Sequence, residues 1–423
     1  MDPMFTTLII LALCFGMMIW QRIPMALTAL LTQLALILTG VLTPEEGFSS
    51  YSNSSVLLIS GIIVIGQAFF ETGLAQDTAI RVMKVAHTRK ALIALIVLCT
   101  GTMSAFLSNT GITALMIPVV GGICYKTGIR RSKLMMPISI AASVGGTMTL
   151  VGTVVNVMAN TTLEGFGYAE RFTFFEFTKL GLPVLIITAL YCATLGDKLM
   201  PDRQTEFDGN TARVLDFSHV PTWKRRAVLL VMFAVFLGML CEPWLHIGIH
   251  VIAIIGAGAL VLVGVFSEEQ AYRAINLRTI FLLAGILPLA TAVEKTGAGS
   301  AVANAIVRGI GSNPNPLLLV FVLFFVSAIL TQFMNNTAAA AVLCPIGLSV
   351  SSALGANPKS VILVIVAAAS YAYCMPFGTP PNILTMFQGG YTFSDYMKVG
   401  FPLLAITCVA VMVIVPIFWP MFS

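Results

Sequence analysis

The segment Ser104-Ala-Phe-Leu-Ser-Asn-Thr110 decides the fold, because the chain repeats its pattern 227 positions later (331 − 104) as Thr331-Gln-Phe-Met-Asn-Asn-Thr337. In both copies a polar Asn-Thr pair, Asn109-Thr110 and Asn336-Thr337, interrupts an apolar run that has no charged side chain. A buried amide or hydroxyl in hydrocarbon is costly unless it has a partner, so the pairs are expected to face a ligand or a water-filled cavity. The alternative is that they only join neighbouring helices by hydrogen bonds.

A second motif is also duplicated. Gly152-Thr-Val-Val-Asn156 recurs 226 positions later (378 − 152) as Gly378-Thr-Pro-Pro-Asn382. The second copy has the order of residues that stops one helix and starts another, namely a glycine, an N-cap threonine and a first-turn proline. The apolar segment 360–387 is therefore predicted to be a helix broken in its middle. Its counterpart, 134–160, carries Val154-Val155 in place of the prolines, so its break is less strongly indicated.

The composition indicates a helical membrane protein. The 423 residues are 58% hydrophobic and 10% charged, with a mean hydropathy of +0.94. Such a chain is not an ordinary soluble domain, and its apolar runs are long enough to cross a bilayer as helices. The net charge of +5 comes from basic loops of the kind expected on the cytoplasmic side, and it does not imply nucleic acid as a partner. We therefore predict an all-α polytopic membrane protein.

The first duplicated segment is predicted to form a re-entrant hairpin over 91–125. Basic clusters at 81–90 and 126–133 flank it, which places both of its ends in the cytoplasm. Arms of about sixteen residues reach roughly 24 Å, short of the hydrocarbon thickness of about 30 Å. The hairpin tip is then expected inside the membrane, where irregular backbone is tolerated only if it is buried or lines a cavity. Two short spans joined outside the membrane are the alternative.

The second half of the chain retraces the first, which predicts an inverted repeat. Each half has five crossings and one hairpin, and because five is odd the second half is upside down relative to the first. Fewer basic residues, namely Lys295, Arg308 and Lys359, surround the second hairpin, as expected if it opens outward. About ten crossings then leave both termini outside, and interfacial helices are expected near 73–90 and 297–309. The predicted parts are a first repeat at 1–205, a cytoplasmic linker at 206–226 and a second repeat at 227–423, with the second hairpin at 314–352.

Four helix breaks would meet near the membrane midplane, which is the layout of a secondary transporter. Free N–H ends suit an anion, whereas free C=O ends and side-chain oxygens suit a hard cation such as sodium. The hairpin and broken-helix segments contain no Asp, Glu, Lys, Arg or His, and a proton relay requires a titratable group inside the membrane. Sodium coupling, or simple exchange, is therefore favoured over proton coupling. These segments contain no catalytic base and no cluster of metal ligands, which argues against a membrane-embedded enzyme. Hairpins and broken helices are also not needed to build a channel.

The doubled Asn-Thr tip, followed by a Gly-Thr-x-x-Asn helix break, resembles the divalent anion:sodium symporter family, which transports dicarboxylates, citrate and sulfate. The resemblance covers nearly the whole chain. It implies an elevator mechanism, in which a domain of hairpins and broken helices slides against a scaffold that also forms a homodimer. It further implies a protein of the prokaryotic inner membrane that uses sodium as coupling ion and no other cofactor.

Carried over by motif position, the resemblance implies two sodium sites and one anion site. The first sodium site would use Ser104, Ser108, Asn109 and the backbone of Gly152, and the second Thr331, Asn336 and the backbone of Gly378. The substrate anion would contact Ser108, Asn109, Thr110, Thr153, Asn336, Thr337 and Thr379. All of these supply amide, hydroxyl or backbone groups, which need no ionisation. The chain departs from the family pattern at Asn335 and at Val154-Val155, which could reshape the pocket.

Overall fold

The structure is a computed structural model that describes residues 2–20, 22–83, 86, 88–203, 216–217, 219–299, 301, 304, 315–376 and 378–422. All regular secondary structure in these residues is helical. Seven helical stretches within the same residues are long and apolar enough to cross a membrane: Pro44–Glu71, Asn109–Thr127, Thr178–Leu199, Leu277–Lys295, Pro316–Phe333, Asn336–Leu354 and Phe393–Phe418. The prediction of an all-α polytopic membrane protein is confirmed.

The helices of the first half begin with two apolar helices and end before the linker. They are α1 Pro3–Trp20, α2 Met25–Leu38, α3 Pro44–Phe48, α4 Ser54–Glu71, α5 Leu74–Met83, α6 Arg89–Ser104, α7 Asn109–Thr127, α8 Arg131–Gly146, α9 Val154–Gly165, α10 Thr178–Tyr191 and α11 Asp197–Leu199. The short helix α5 lies within the stretch predicted to be interfacial, 73–90. A π-helical turn over 192–196 joins α10 to α11.

The helices of the second half follow the same order. They are α12 Thr222–Leu240, α13 Glu242–Leu245, α14 Ile249–Leu262, α15 Glu268–Ala274, α16 Leu277–Lys295, α17 Pro316–Phe333, α18 Asn336–Leu354, α19 Pro358–Ser370, α20 Pro380–Gly389 and α21 Phe393–Phe418. Helix α12 starts inside the predicted linker 206–226, most of which lies outside the described residues. The second predicted interfacial helix, 297–309, also lies mostly outside them.

One arm of the first hairpin is longer than the sequence predicted. Helix α6 has 16 residues, as expected, but α7 has 19. The arms of the second hairpin, α17 and α18, have 18 and 19 residues. Helix α7 runs past Lys126 and ends only at Gly128, whose φ of 73° is the left-handed conformation that glycine adopts without strain. Arm length therefore does not distinguish a re-entrant hairpin from a pair of membrane crossings. The depth of the hairpin tips in the membrane distinguishes them.

Both apolar segments expected to break are interrupted in their middle. Helix α8 ends at Gly146 and α9 starts at Val154, while α19 ends at Ser370 and α20 starts at Pro380. The threonines before the second half-helices have nearly the same extended backbone, with φ −144° and ψ 147° at Thr153 and φ −141° and ψ 146° at Thr379. The first half therefore breaks without the proline pair that marks the second.

Gly378 is not the helix stop that its sequence context indicated. Helix α19 ends eight residues earlier (378 − 370), at Ser370. Pro376, further along the break, has no N–H, and a proline disfavours helical backbone in the residue before it. Gly378 instead allows a close approach, because a Cβ on it would lie 3.0 Å from the carbonyl oxygen of Thr331.

Two sets of helices can be distinguished by their packing. The frame helices are α2, α4, α14 and α16, and each of them packs mainly on a helix from the other half, α2 on α16 and α4 on α14. Small residues allow the close crossings: a Cβ on Gly61 would lie 2.7 Å from the Ala253 carbonyl, and one on Gly285 would lie 3.0 Å from the backbone of Ala29. The two crossings use equivalent positions, since both glycines and both alanines are 224 residues apart (285 − 61 and 253 − 29).

The second set, which we call the hairpin core, comprises α6 to α9 and α17 to α20. Here too the halves exchange contacts. Helix α9 packs on α18 and α19, and α20 packs on α7 and α8. The half-helix that follows each break therefore packs against the hairpin arm and first half-helix of the other half, which brings the two breaks together in the interior.

Candidate functional site

The first hairpin tip concentrates hydrogen-bond acceptors around one hydroxyl group. The Ser104 hydroxyl lies 2.7 Å from the Asn109 side-chain oxygen and 2.8 Å from the Ala142 carbonyl oxygen. Its single hydrogen can be donated to only one of them at a time. Three oxygens that share one hydrogen are a favourable setting for a hard cation, which binds oxygen ligands.

The second tip repeats this arrangement atom for atom. The Thr331 hydroxyl lies 2.8 Å from the Asn336 side-chain oxygen and also contacts the Ala369 carbonyl oxygen. Each of these residues lies 227 positions after its counterpart in the first half. The duplicated sequence therefore builds a duplicated cluster of uncharged oxygens.

The two motif glycines bring the breaks against the hairpin tips. A Cβ on Gly152 would lie 2.6 Å from the Gly146 carbonyl and 2.9 Å from the Ala105 carbonyl. The Gly152 N–H donates to the Thr149 hydroxyl at 3.1 Å, and that hydroxyl in turn donates to the Ala105 carbonyl. The structure thus gathers Ser104, Asn109 and Gly152 in one place, and Thr331, Asn336 and Gly378 in another.

A cavity of about 370 Å³ lies at the first tip. The predicted site residues on its wall are Ser108, Asn109, Thr110, Gly152 and Thr153. Ser108 is exposed there and also caps α7, with its hydroxyl 3.5 Å from the Gly111 N–H. The volume falls in the range of small-molecule sites, roughly 300–1,000 Å³.

The residues predicted at the second tip do not line this cavity. Asn336 and Thr379 are buried, with 9% and 6% of their surface exposed, and Thr337 is half-buried. The Thr379 hydroxyl has no hydrogen-bond partner in the described part of the chain, although a buried hydroxyl normally has one. The two breaks nevertheless adjoin, because α9 packs on α19 and α20 packs on α8. The first tip is therefore open to a cavity, and the predicted site residues of the second tip are more deeply buried than those of the first.

Sequence reasoning missed the wall of the cavity that faces the hairpin tip. That wall is made by the frame, with Gln67 and Phe70 from α4 and Asn276 and Thr279 from the start of α16. The Gln67 amide donates to Glu71 at 3.0 Å. No local pattern marks these residues, because only the packing of α4 and α16 against the core brings them to the site.

It also left unused the last residue of each break motif. Asn156 and Asn382 are completely buried, and the side-chain amide of each donates to two carbonyl groups in its own break. The signal was available, since both positions are asparagine in the duplicated Gly-Thr-x-x-Asn motif.

Charged groups lie at the two ends of the molecule. Three ion pairs join residues near the start of α4 or after α9, namely Glu46–Lys295, Glu164–Arg171 and Glu176–Lys359. Four others join residues beyond the end of α4 or near the linker, namely Asp77–Arg225, Arg89–Asp197, Arg130–Asp202 and Arg203–Asp395. Among the described residues, those that line the cavity at the first tip carry no charged side chain, so they offer an ion neutral oxygens and N–H groups.

Comparison with known proteins gives a family for this fold and site. The sequence profile of the citrate transporter family matches residues 15–343 and 244–422. The transporter YfbS of Escherichia coli is 24% identical over 97% of this chain and 98% of its own length. The sodium-dependent dicarboxylate transporter SdcS of Staphylococcus saprophyticus is 25% identical over 96% of this chain and 85% of its own.

A solved structure agrees at the level of the fold. The YdaH transporter of Alcanivorax borkumensis superposes with a TM-score of 0.67 at 14% identity, covering the whole of both chains. These matches confirm the family resemblance that the two duplicated motifs indicated. They also assign a transporter rather than an enzyme to the uncharged core. From its sequence profile and its helical architecture, the chain belongs to the citrate transporter family of integral membrane transporters.

Proposed function

We propose that this transporter carries a small di- or tricarboxylate anion across the membrane together with sodium. The observation that supports this most directly is the pair of equivalent oxygen clusters, Ser104 with Asn109 and Thr331 with Asn336, each closed by a break glycine. Neutral oxygens bind sodium without competition from protons over the physiological pH range. The name of the relative SdcS, a sodium-dependent dicarboxylate transporter, agrees with both parts of the proposal.

The anion would bind in the 370 Å³ cavity. Helices α7 and α9 both start at this cavity, with Ser108 to Gly111 and Gly152 to Val154 on its wall. The first N–H groups of a helix have no partner within the helix and carry partial positive charge, which suits a carboxylate. Ser108, Asn109, Thr110 and Thr153 would add side-chain hydrogen bonds. Asn336, Thr337 and Thr379 would contribute from the second tip.

The proposed sodium ligands are those of the two clusters. Ser104, Ser108, Asn109 and the Gly152 backbone would hold the first ion, and Thr331, Asn336 and the Gly378 backbone the second. Sodium bound next to the anion offsets part of its charge, so that each ion favours the binding of the other. That mutual dependence is what couples their transport.

Alternating access would come from movement of the hairpin core against the frame, as in an elevator. The cavity lies between these two sets of helices, with the tip on one side and α4 and α16 on the other. The helices on either side of the first break, α8 and α9, are roughly 24 and 18 Å long. The break would therefore lie inside the membrane, and so would the hairpin tip that contacts it. This supports re-entrant hairpins within two inverted repeats. From the family resemblance we also propose that the protein forms a homodimer through the frame helices.

The charge distribution supports an orientation. The clusters Arg81–Lys90, Arg130–Lys133 and Lys224–Arg226 all belong to the end that also holds the Asp77–Arg225 ion pair. An excess of Lys and Arg is typical of the cytoplasmic side, which supports an orientation with both termini outside. The cavity extends toward that same end, because Asn276 and Thr279 at the start of α16 line it. With this orientation, the structure would correspond to an inward-facing state.

Uptake into proteoliposomes tests the function. We expect labelled succinate or citrate to accumulate under an inward sodium gradient and not when choline replaces sodium. Asn109→Ala and Asn336→Ala should each reduce uptake below about a tenth of wild type, since a lost hydrogen bond to a charged group costs about 1.5–3 kcal/mol. Thr102→Ala, on the exposed face of α6, is the matched control.

The outcomes separate the alternatives. Equal uptake in sodium and choline would favour a sodium-independent exchanger with the same fold. Normal uptake by both asparagine variants would contradict the site. Counterflow of labelled against unlabelled substrate distinguishes a carrier from a channel, because a pore cannot drive it.

A further inference from the structure

The asparagine that ends each break motif makes the same two hydrogen bonds in both halves. The Asn156 amide nitrogen lies 3.3 Å from the Gly146 carbonyl and 2.8 Å from the Thr149 carbonyl. The Asn382 amide nitrogen lies 2.7 Å from the Ala372 carbonyl and 2.9 Å from the Met375 carbonyl. In each half the two carbonyls belong to residues ten and seven positions before the asparagine.

These bonds supply donors where the helix no longer does. Carbonyl groups at the end of a helix have no partner within it, and a buried carbonyl without a donor is costly. Asn156 and Asn382 are 0% and 1% exposed, so water does not reach them from the surface. Because both partners are carbonyl oxygens, only the NH₂ group of the amide can face them, which decides its orientation.

The residues held in this way are those that touch the first hairpin tip. Gly146 lies directly against the Asn109 amide, since a Cβ on Gly146 would be 2.7 Å from the Asn109 side-chain oxygen. The side chain of Thr149 donates to the Ala105 carbonyl and accepts from the Gly152 N–H. Asn156 therefore fixes the backbone that supports Asn109 and Gly152 without lying in the cluster itself.

In the second half, a residue bound by Asn382 contacts the break glycine directly. The Ala372 side chain adjoins Gly378, because a Cβ on Gly378 would be 3.1 Å from it. The Asn382 backbone carbonyl is in turn held by the Tyr396 hydroxyl at 2.7 Å. The break that presents Gly378 to Thr331 is therefore held at both ends.

We propose that Asn156 and Asn382 are positioning residues that set the sodium affinity of the first and second clusters, each through the break it folds. This inference rests on the proposed sodium-coupled function. Asn156 is tied to its break through the NH₂ group alone, because its side-chain oxygen has no hydrogen-bond partner among the described residues. Asn156→Asp therefore replaces the NH₂ group by an oxygen with almost no change of shape, and a neutral carboxyl at this buried position can donate to only one of the two carbonyls.

The experiment compares Asn156→Ala and Asn156→Asp with Asn160→Ala. Asn160 is one turn further along α9 and is also hydrogen-bonded through both side-chain atoms, but to the Phe172 backbone outside the break. The measurements are the melting temperature of the purified protein in detergent with and without sodium, and the sodium concentration that gives half-maximal uptake. We expect both Asn156 variants to require roughly ten-fold more sodium or more, since each leaves at least one buried carbonyl unpaired. Asn160→Ala should lower the melting temperature without changing the sodium requirement.

The result separates a positioning role from a structural one. An Asn156 variant that is less stable but keeps the wild-type sodium requirement and sodium-induced shift would overturn the inference alone. A wild-type protein that shows no sodium-induced shift and no sodium-dependent uptake would overturn the proposed coupling and the inference together. Asn382→Ala applies the same test to the second cluster, so that poor folding of one variant still leaves a decisive measurement.

Discussion

Two glycines allow the helix breaks to touch the hairpin tips. At Gly152 the nearest atoms to an added Cβ would be the carbonyl oxygens of Gly146 and Ala105, both of which are backbone and cannot rotate away. At Gly378 the nearest would be the Thr331 carbonyl oxygen. A side chain at either position would push the break away from the oxygen cluster that we assign to sodium.

Gly152→Ala is therefore expected to impair transport through the first site. Overpacking costs about 1–3 kcal/mol, which corresponds to roughly 5- to 150-fold in sodium affinity if the strain falls on the site. Sodium-dependent uptake measures it. Gly122→Ala in α7 is the control, because a Cβ there would meet nothing within 4 Å. Equal sodium requirements in the two variants would argue against a sodium site at this break.

At the scale of helices, a buried ion pair joins three elements at the outer end of the hairpin core. Lys359 at the start of α19 lies 2.8 Å from Glu176 in the loop before α10, and both side chains are largely buried. The Trp419 indole N–H, just after α21, donates to the same carboxylate at 2.8 Å. These contacts hold the start of one broken helix against the connection that follows the other.

The electrostatics of this cluster predict a pH dependence of stability. Burial alone would raise the pKa of Glu176, but hydrogen bonds from Lys359, Trp419 and the Thr173 N–H together bring it below its usual value. A carboxyl whose pKa is lower in the folded state stabilises the protein above its unfolded pKa and loses this contribution as the pH falls through the folded pKa. The stabilisation is therefore complete at neutral pH and is lost only in acid.

Glu176→Gln is expected to lower stability at neutral pH by about 3 kcal/mol, the lower end of the range for breaking a buried pair. The gap in melting temperature between this variant and the wild type should close as the pH falls below the ordinary glutamate range. Glu170→Gln, at an exposed glutamate of the same loop, is the control and should have little effect. A gap that stayed constant in acid would mean that the ion pair does not stabilise the fold.

At the scale of the whole molecule, the two halves are built around each other. The pairs α2 with α16 and α4 with α14 form the frame, and the half-helices α9 and α20 each pack on the opposite half of the core. Because the main packing contacts of the frame helices join one half to the other, we expect the halves to fold as one unit. Cavity and oxygen clusters both arise at this shared interior.

The proposed orientation predicts which loops an impermeant thiol reagent reaches. The natural cysteines in the described residues are buried except for Cys241, which is partly exposed. In a Cys241→Ser background we expect Glu170→Cys to react in intact cells and Lys126→Cys to react only after the membrane is opened. Both positions are exposed in the structure. The reverse pattern would place the termini inside and would make the cavity outward-facing.

The sequence by itself determined the fold class, the duplicated motifs and the residue types of the oxygen clusters. It could do so because the cost of burying polar groups in hydrocarbon restricts where an Asn-Thr pair or a Gly-Thr pair can stand. It misplaced the end of α19, which the Gly378 motif put eight residues too late (378 − 370), and it underestimated one arm of the first hairpin, α7. Local signals mark where a helix can end, but packing selects among those positions.

Only the tertiary structure decided that the first tip lies open at a cavity and that the predicted site residues of the second tip are more deeply buried. It also decided that Gln67, Asn276 and Thr279 face the first tip and that Asn156 and Asn382 hold the breaks. These facts depend on contacts between residues far apart in the chain, and two nearly identical motifs carry no information about which of them faces the frame. The motifs are duplicated in the sequence, but the packing of the hairpin core against the frame gives the two tips different surroundings.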